Sequence, residues 1–251
     1  MRNTLKMSGA ALFEAARDLG FDGVELDLGA GDPALQPGGG AAVRAASAAS
    51  GLPVPSVCLG MLNAAGFKHG GAAAAEADDW IRRAIDLCGA VGAATVLVPF
   101  FGASELLTES DRAAAARGLR GAAVDAERAG VTLGVESTLS AAEHLALLEQ
   151  VGSPAVRVYY DVANAMWWGH DGPSEIRRLG GAIVQIHFKD GRASYGDAML
   201  GEGRVDFPAV RQAMADIGYR DWVVLESASP RDVMDDTRAN LAFARRLVVG
   251  M

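Results

Sequence analysis

The chain has 251 residues, half of them hydrophobic, with 31 Gly, 9 Pro and a formal charge of −8. That balance excludes a wholly disordered chain, and the acidic excess gives no electrostatic footprint for nucleic acid or an anionic membrane. Two cysteines, Cys58 and Cys88, are too few for a disulfide framework, and no stretch approaches the roughly 20 apolar residues of a membrane helix. Residues 1–20 lack the apolar region of a signal peptide, so a soluble, cytoplasmic protein is expected.

From the N-terminus, 1–7 is polar and carries no strand signal, and 8–20 has helical periodicity. The run GVELDL at 23–28 reads as a strand. The following GAGDPALQPGGG at 29–40 reads as a loop and not as a dinucleotide fingerprint, because Pro33 removes an amide and three later glycines delay a helix. Strand signals recur at 54–59, 94–100, 131–135, 156–160, 183–186 and 222–225. Each is mostly apolar, as in strands covered on both faces. Helical patterns recur at 41–50, 74–91, 109–129, 140–151, 173–180, 208–217 and 230–248. The helix at 140–151 opens on the capping-box pattern Ser140 to Glu143, and Ser229-Pro230 predicts the start of the last helix. The alternation predicts one α/β domain over 1–251, a (β/α)8 TIM barrel whose first strand is missing or irregular, since eight helices accompany seven strands. Two exposed sheet edges would then favour a homo-oligomer.

Four polar residues close the last four strand runs: Glu136, Asp161, His187 and Glu226. In a (β/α) barrel such positions converge on one mouth, where active sites form. Carboxylates beside buried apolar runs need partners, and three together repel unless a cation neutralises them. Two Glu, one Asp and one His make a hard, oxygen-rich donor set suited to one Mn2+ or Mg2+ ion, with Co2+ also acceptable. The alternative for each residue singly is a hydrogen bond to the adjacent loop. Glu25 lies two strands away and reads as a structural hydrogen-bonding group, and His144 as a surface histidine on its helix.

The segments GFDGVELD (20–27), LGVEST (133–138), YYDVAN (159–164), IHFKD (186–190), LGEGRVDF (200–207) and VVLES (223–227) resemble the sugar-phosphate isomerase/epimerase family. These are xylose isomerase-like TIM barrels, including D-tagatose 3-epimerase-type and L-xylulose-5-phosphate 3-epimerase-type enzymes. The resemblance implies that Glu136, Asp161, His187 and Glu226 bind one divalent metal and that Glu136 and Glu226 also move protons. Free-ketose epimerases usually carry a histidine three residues after the metal Asp. Asn164 stands there in this chain, which is closer to the sugar-phosphate pattern. Their arginine after the metal His has no secure counterpart, although Arg192 and Arg204 lie in that loop. Endonuclease IV shares the fold but needs more histidines than the four here, and the charge of −8 also opposes a DNA partner.

The chemistry expected is epimerisation or isomerisation of a sugar or sugar phosphate through a metal-stabilised enediolate, with the glutamates as base and acid. A dehydratase acting on an inosose or dehydroshikimate-like polyol shares the first proton removal, and a non-catalytic partner subunit is the third alternative. Candidate substrate contacts are Asn164, Trp167, His69, Lys189 and Glu202. Lys189 would meet an anionic group or pair with Asp190. Trp167 and Trp168 would wall the sugar or pack on a helix end, with Phe100 and Phe101 opposite. His170 sits in another strand-following loop, and 191–206 reads as a mobile cover with Glu202 turned inward.

Overall fold

The computed structural model describes residues 2–64 and 66–249; Met1, Ala65, Gly250 and Met251 lie outside the described residues. The helices are α1 Arg2–Leu5, α2 Gly9–Leu19, α3 Gly40–Ser50, α4 Gly71–Val91, α5 Glu109–Ala129, α6 Ala141–Val151, α7 Val162–Trp167, α8 Gly172–Leu179, α9 Phe207–Asp216 and α10 Val233–Val248. The strands are β1 Leu26–Asp27, β2 Ser56–Cys58, β3 Thr95–Phe100, β4 Thr132–Ser137, β5 Val156–Asp161, β6 Ile183–Phe188 and β7 Val223–Leu225. All are parallel and run in sequence order across one sheet. Every residue of β3 and β6 is buried, which explains their mostly apolar character: helices cover the outside and the barrel core fills the inside.

The expected gap in the barrel is present. Among the described residues, β1 and β7 form no ladder with each other, and where a first strand would lie the chain forms the short helix α1. Thr4 donates its hydroxyl to the carbonyl of Leu225 at 3.1 Å, and Leu5 is buried, so α1 is tied to the free edge of β7. A cavity of about 470 Å³ opens along this seam, lined by residues including Phe21, Gly23, Trp222 and Leu241. No helix among the described residues is long and apolar enough to cross a membrane.

Helix starts follow side-chain chemistry. Ser140 accepts from the Glu143 amide, and Glu143 accepts from the Ser140 amide at 2.9 Å, the capping box the sequence predicts. The last helix departs from expectation: it begins at Val233, not at Pro230. Asp232 caps it, its Oδ1 accepting from the amides of both Met234 and Asp235. His144 is also a correction. It is buried, its Nε2 lies 2.9 Å from the Ser137 hydroxyl, and burial lowers its pKa to about 4.

The turn at 67–69 is seated on α5 through Gly118. A Cβ built at Gly118 would overlap the buried Phe67 ring. Gly118→Ala is therefore expected to destabilise the fold by about 1–3 kcal/mol through overpacking, measured by chemical denaturation.

Candidate metal centre

Each of the four strand-end residues reaches the mouth because its strand stops there. Asp161 is the last residue of β5, Glu136 and His187 are the penultimate residues of β4 and β6, and Glu226 follows β7. One ligand atom from each lies within 4.8 Å of all the others. Asp161 spends one oxygen capping α7, accepting from the amides of Ala163 at 2.7 Å and Asn164 at 2.9 Å. Its other oxygen, Oδ2, is buried without a hydrogen bond, and so is His187 Nδ1. A buried acceptor with no hydrogen bond, only the Lys189 ammonium at 3.3 Å, and a buried imidazole nitrogen facing two glutamates are what a cation site offers its ion. The residues fit a divalent metal.

Glu25 sets the imidazole. Its carboxylate accepts from Ser56 at 2.6 Å, from Tyr159 at 2.6 Å and from His187 Nε2 at 3.1 Å. Because a carboxylate only accepts, Nε2 must carry the proton, which aims Nδ1 at Glu136 Oε1 (3.4 Å) and Glu226 Oε2 (3.3 Å). The expected structural role of Glu25 is thus met, and it orients a candidate ligand. Burial alone would raise the Glu25 pKa, but the His187 charge and these three hydrogen bonds pull it below the usual range.

The cluster's acidities diverge. Burial raises the Glu136 carboxyl, with Asp161 and Glu226 adding repulsion against the opposing pull of His187. Burial also works against Glu226 as an ion, yet the Lys189 ammonium and His187 together bring it down to about 2. His187 is pushed well above its ordinary value: burial opposes the charge, and Glu25 and Glu136 overcome it.

Lys189 corrects one expectation. Its Nζ lies 2.5 Å from Glu226 Oε2 and 3.3 Å from Asp161 Oδ2 and donates to the Tyr195 hydroxyl at 2.8 Å, so its partners are the cluster and not Asp190. Asp190 instead accepts from four amides of the following loop, those of Gly191, Gly201, Gly203 and Val205, at 2.9–3.1 Å. Glu202 is a second correction. It is exposed, and its carbonyl takes the Arg192 guanidinium, so it does not turn inward. His69 also stays outside, with Nε2 2.9 Å from the Ala103 carbonyl. His170 bonds the Thr138 carbonyl at 3.3 Å.

A cavity of about 690 Å³ stands over the cluster. Asn164, Trp167, Trp168 and Phe101 line it, whereas Phe100 is packed into the core. Asn164 donates to Glu136 Oε1 at 3.2 Å and accepts from Tyr195. Tyr195 has no signal in the sequence as a site residue: it lies in a loop without periodicity, and only the fold of 191–206 carries it to Lys189 and Asn164. Asp27 and Glu105 also line the cavity and were not singled out by the strand-end pattern.

Residues 13–247 match the family described as xylose isomerase-like TIM barrel. A 2-epi-5-epi-valiolone 7-phosphate 2-epimerase of Actinoplanes sp. is 31% identical over 98% of this chain and 92% of its own length. A putative L-ribulose-5-phosphate 3-epimerase of Escherichia coli K12 is 29% identical over 84% of this chain and 80% of its own. The crystal structure of a D-psicose 3-epimerase in the presence of D-fructose superposes with a TM-score of 0.80 at 19% identity, covering 98% of this chain and 96% of the other. The strand-end cluster, the parallel sheet in sequence order and the match over nearly the whole length lead to one conclusion: the chain belongs to the xylose isomerase-like TIM barrel family.

Proposed function

We propose that this protein is a divalent-metal-dependent epimerase or isomerase of a sugar or sugar phosphate, working by proton transfer at a carbon beside a carbonyl. The observation that carries the reading is the set Glu136, Asp161, His187 and Glu226, with ligand atoms within 4.8 Å of one another under a sugar-sized cavity. The names of the curated relatives support it. These four residues would hold a Mn2+ or Mg2+ ion, with Co2+ also suited to the donor set. A metal held by these residues would supply Lewis-acid chemistry, polarising a carbonyl so that the adjacent C–H becomes more acidic.

The remaining chemistry belongs to the side chains. Glu226, held ionised by Lys189, accepts a proton from carbon. Glu136, whose carboxyl is raised by burial, returns one. Return to the same carbon from its other face inverts it, return to the neighbouring carbon isomerises, and the roles exchange in the reverse direction. Asn164 holds Glu136 Oε1 in place, and Glu25 fixes His187. Trp167, Trp168 and Phe101 give the cavity an apolar wall that suits the C–H face of a sugar ring and limits water.

The test is NMR in deuterated water on Mn2+-supplemented protein with ketoses, their phosphates and inososes. The expected result is deuterium at the carbon beside the carbonyl with the substrate's hydroxyls retained. Formation of an enone with loss of water overturns the reading in favour of a dehydratase.

A further inference from the structure

We infer that the substrate is a neutral, unphosphorylated polyhydroxy ketone or ketose, a selectivity that rests on the epimerase reading and narrows it. The residues that surround the reacting carbon leave a phosphate dianion without a partner. Glu25, Asp27, Glu105, Glu136 and Glu226 line the cavity, and Asp161 stands beside them. The cationic side chains among the described lining residues are His187 and Lys189. Lys189 is already spent on Glu226, Asp161 and Tyr195. With a dication on the cluster and His187 serving as a neutral ligand, the carboxylates still outnumber the positive charges.

Two further cations near the rim are already engaged. Lys68 donates to the carbonyl of Glu105 at 2.6 Å, and Arg192 is folded onto Glu202. Backbone amides are the other means of binding phosphate, and TIM barrels often present them in the loops after the last two strands. In this protein the chain's own carboxylates take amides in both places. After β6, buried Asp190 takes the amides of Gly191, Gly201, Gly203 and Val205. A Cβ at Gly203 would overlap that carboxylate, so the loop is shaped around it. After β7, buried Asp236 takes the amides of Arg231 at 2.8 Å and Asp232 at 3.3 Å, together with the Arg231 guanidinium. The Asp-x-x-Asn spacing that ends on Asn164 points toward sugar phosphates in the sequence. In the fold, however, that amide is engaged by Glu136 and Tyr195. A neutral polyol meets no such conflict, since its hydroxyls can donate to the Glu105 carboxylate and its carbon face can lie on the tryptophans.

The experiment compares pairs that differ only by the ester: dihydroxyacetone with its phosphate, D-fructose with D-fructose 6-phosphate, and L-ribulose with L-ribulose 5-phosphate. Binding to the Mn2+-loaded protein is measured by calorimetry and turnover by solvent deuterium uptake. The free member of each reactive pair is expected to bind at least about tenfold tighter, and inorganic phosphate at millimolar concentration is expected not to compete. Glu105→Lys should narrow that ratio by supplying the missing cation. Tighter binding and faster exchange of the phosphate esters overturn the inference while leaving the epimerase reading intact. Absence of binding and exchange for both members of every pair overturns the epimerase reading, and the inference with it.

Discussion

Glu136→Gln is expected to lower kcat by about 10²–10⁴-fold, the range that a positioned acid or base contributes. The amide keeps the shape and the hydrogen-bonding reach of the carboxyl but neither accepts nor returns a proton at carbon. Glu226→Gln should do the same. The two substitutions separate in their effect on the protein itself. Glu136 is a buried carboxyl among carboxylates, and its pKa is raised accordingly, so the neutral amide should leave the metal-free thermal midpoint unchanged or higher. Glu226 is paired with Lys189 at 2.5 Å, and its loss strands an ammonium beside Asp161, so the midpoint should fall. In both variants the stabilisation by Mn2+ seen in a thermal-shift assay should shrink, because each removes a charged donor. Full activity in Glu136→Gln would remove the residue from the chemistry altogether.

Glu25 is expected to matter nearly as much, although it reaches the cluster only through His187. Glu25→Gln leaves a group that both donates and accepts where three donors point, so Ser56, Tyr159 and His187 cannot all stay satisfied. Partners of this kind typically contribute 10–100-fold in metal affinity, and a loss of about that size in Mn2+ binding is expected by calorimetry. Glu25→Ala should also cost about 3–5 kcal/mol in denaturant unfolding, since it leaves the Tyr159 hydroxyl and the His187 ring buried without their acceptor. The same triad fixes a pH dependence. Without metal, His187 is held protonated to well above its usual value, and an ion can take Nδ1 only after that proton leaves. Mn2+ binding should therefore release protons and weaken as pH falls, read from calorimetric heats in buffers of different ionisation enthalpy.

The sheet and the cluster were legible in the sequence because both depend on local pattern. Mostly apolar runs of four or five residues followed by one polar residue specify a strand and the place where it stops, and parallel order then brings Glu136, Asp161, His187 and Glu226 together. The helix 109–129 was legible to the residue, because Thr108 and Gly130 bracket it with a cap at each end. What escaped reading depends on contacts made across the fold. The partner of Lys189 is decided by β5 and β7, on either side of its own strand, and not by its neighbour Asp190. Tyr195 reaches the cavity only because Asp190 gathers the amides of 191–205 into one turn, a set of bonds without periodicity. His144 looks like a surface residue on its helix and is drawn inward by Ser137.

A closed ring has no ends, whereas an arc has two, and here the ends are thin: β1 has two residues and β7 three. Such short borders give another polypeptide little to zip onto. They also leave the four tethers of the candidate centre unequal. Three hang from six-residue strands held on both flanks, while Glu226 hangs just past the border, about a quarter open to solvent. The carboxylate with the greatest latitude to swing is thus the one assigned to pick up the first proton.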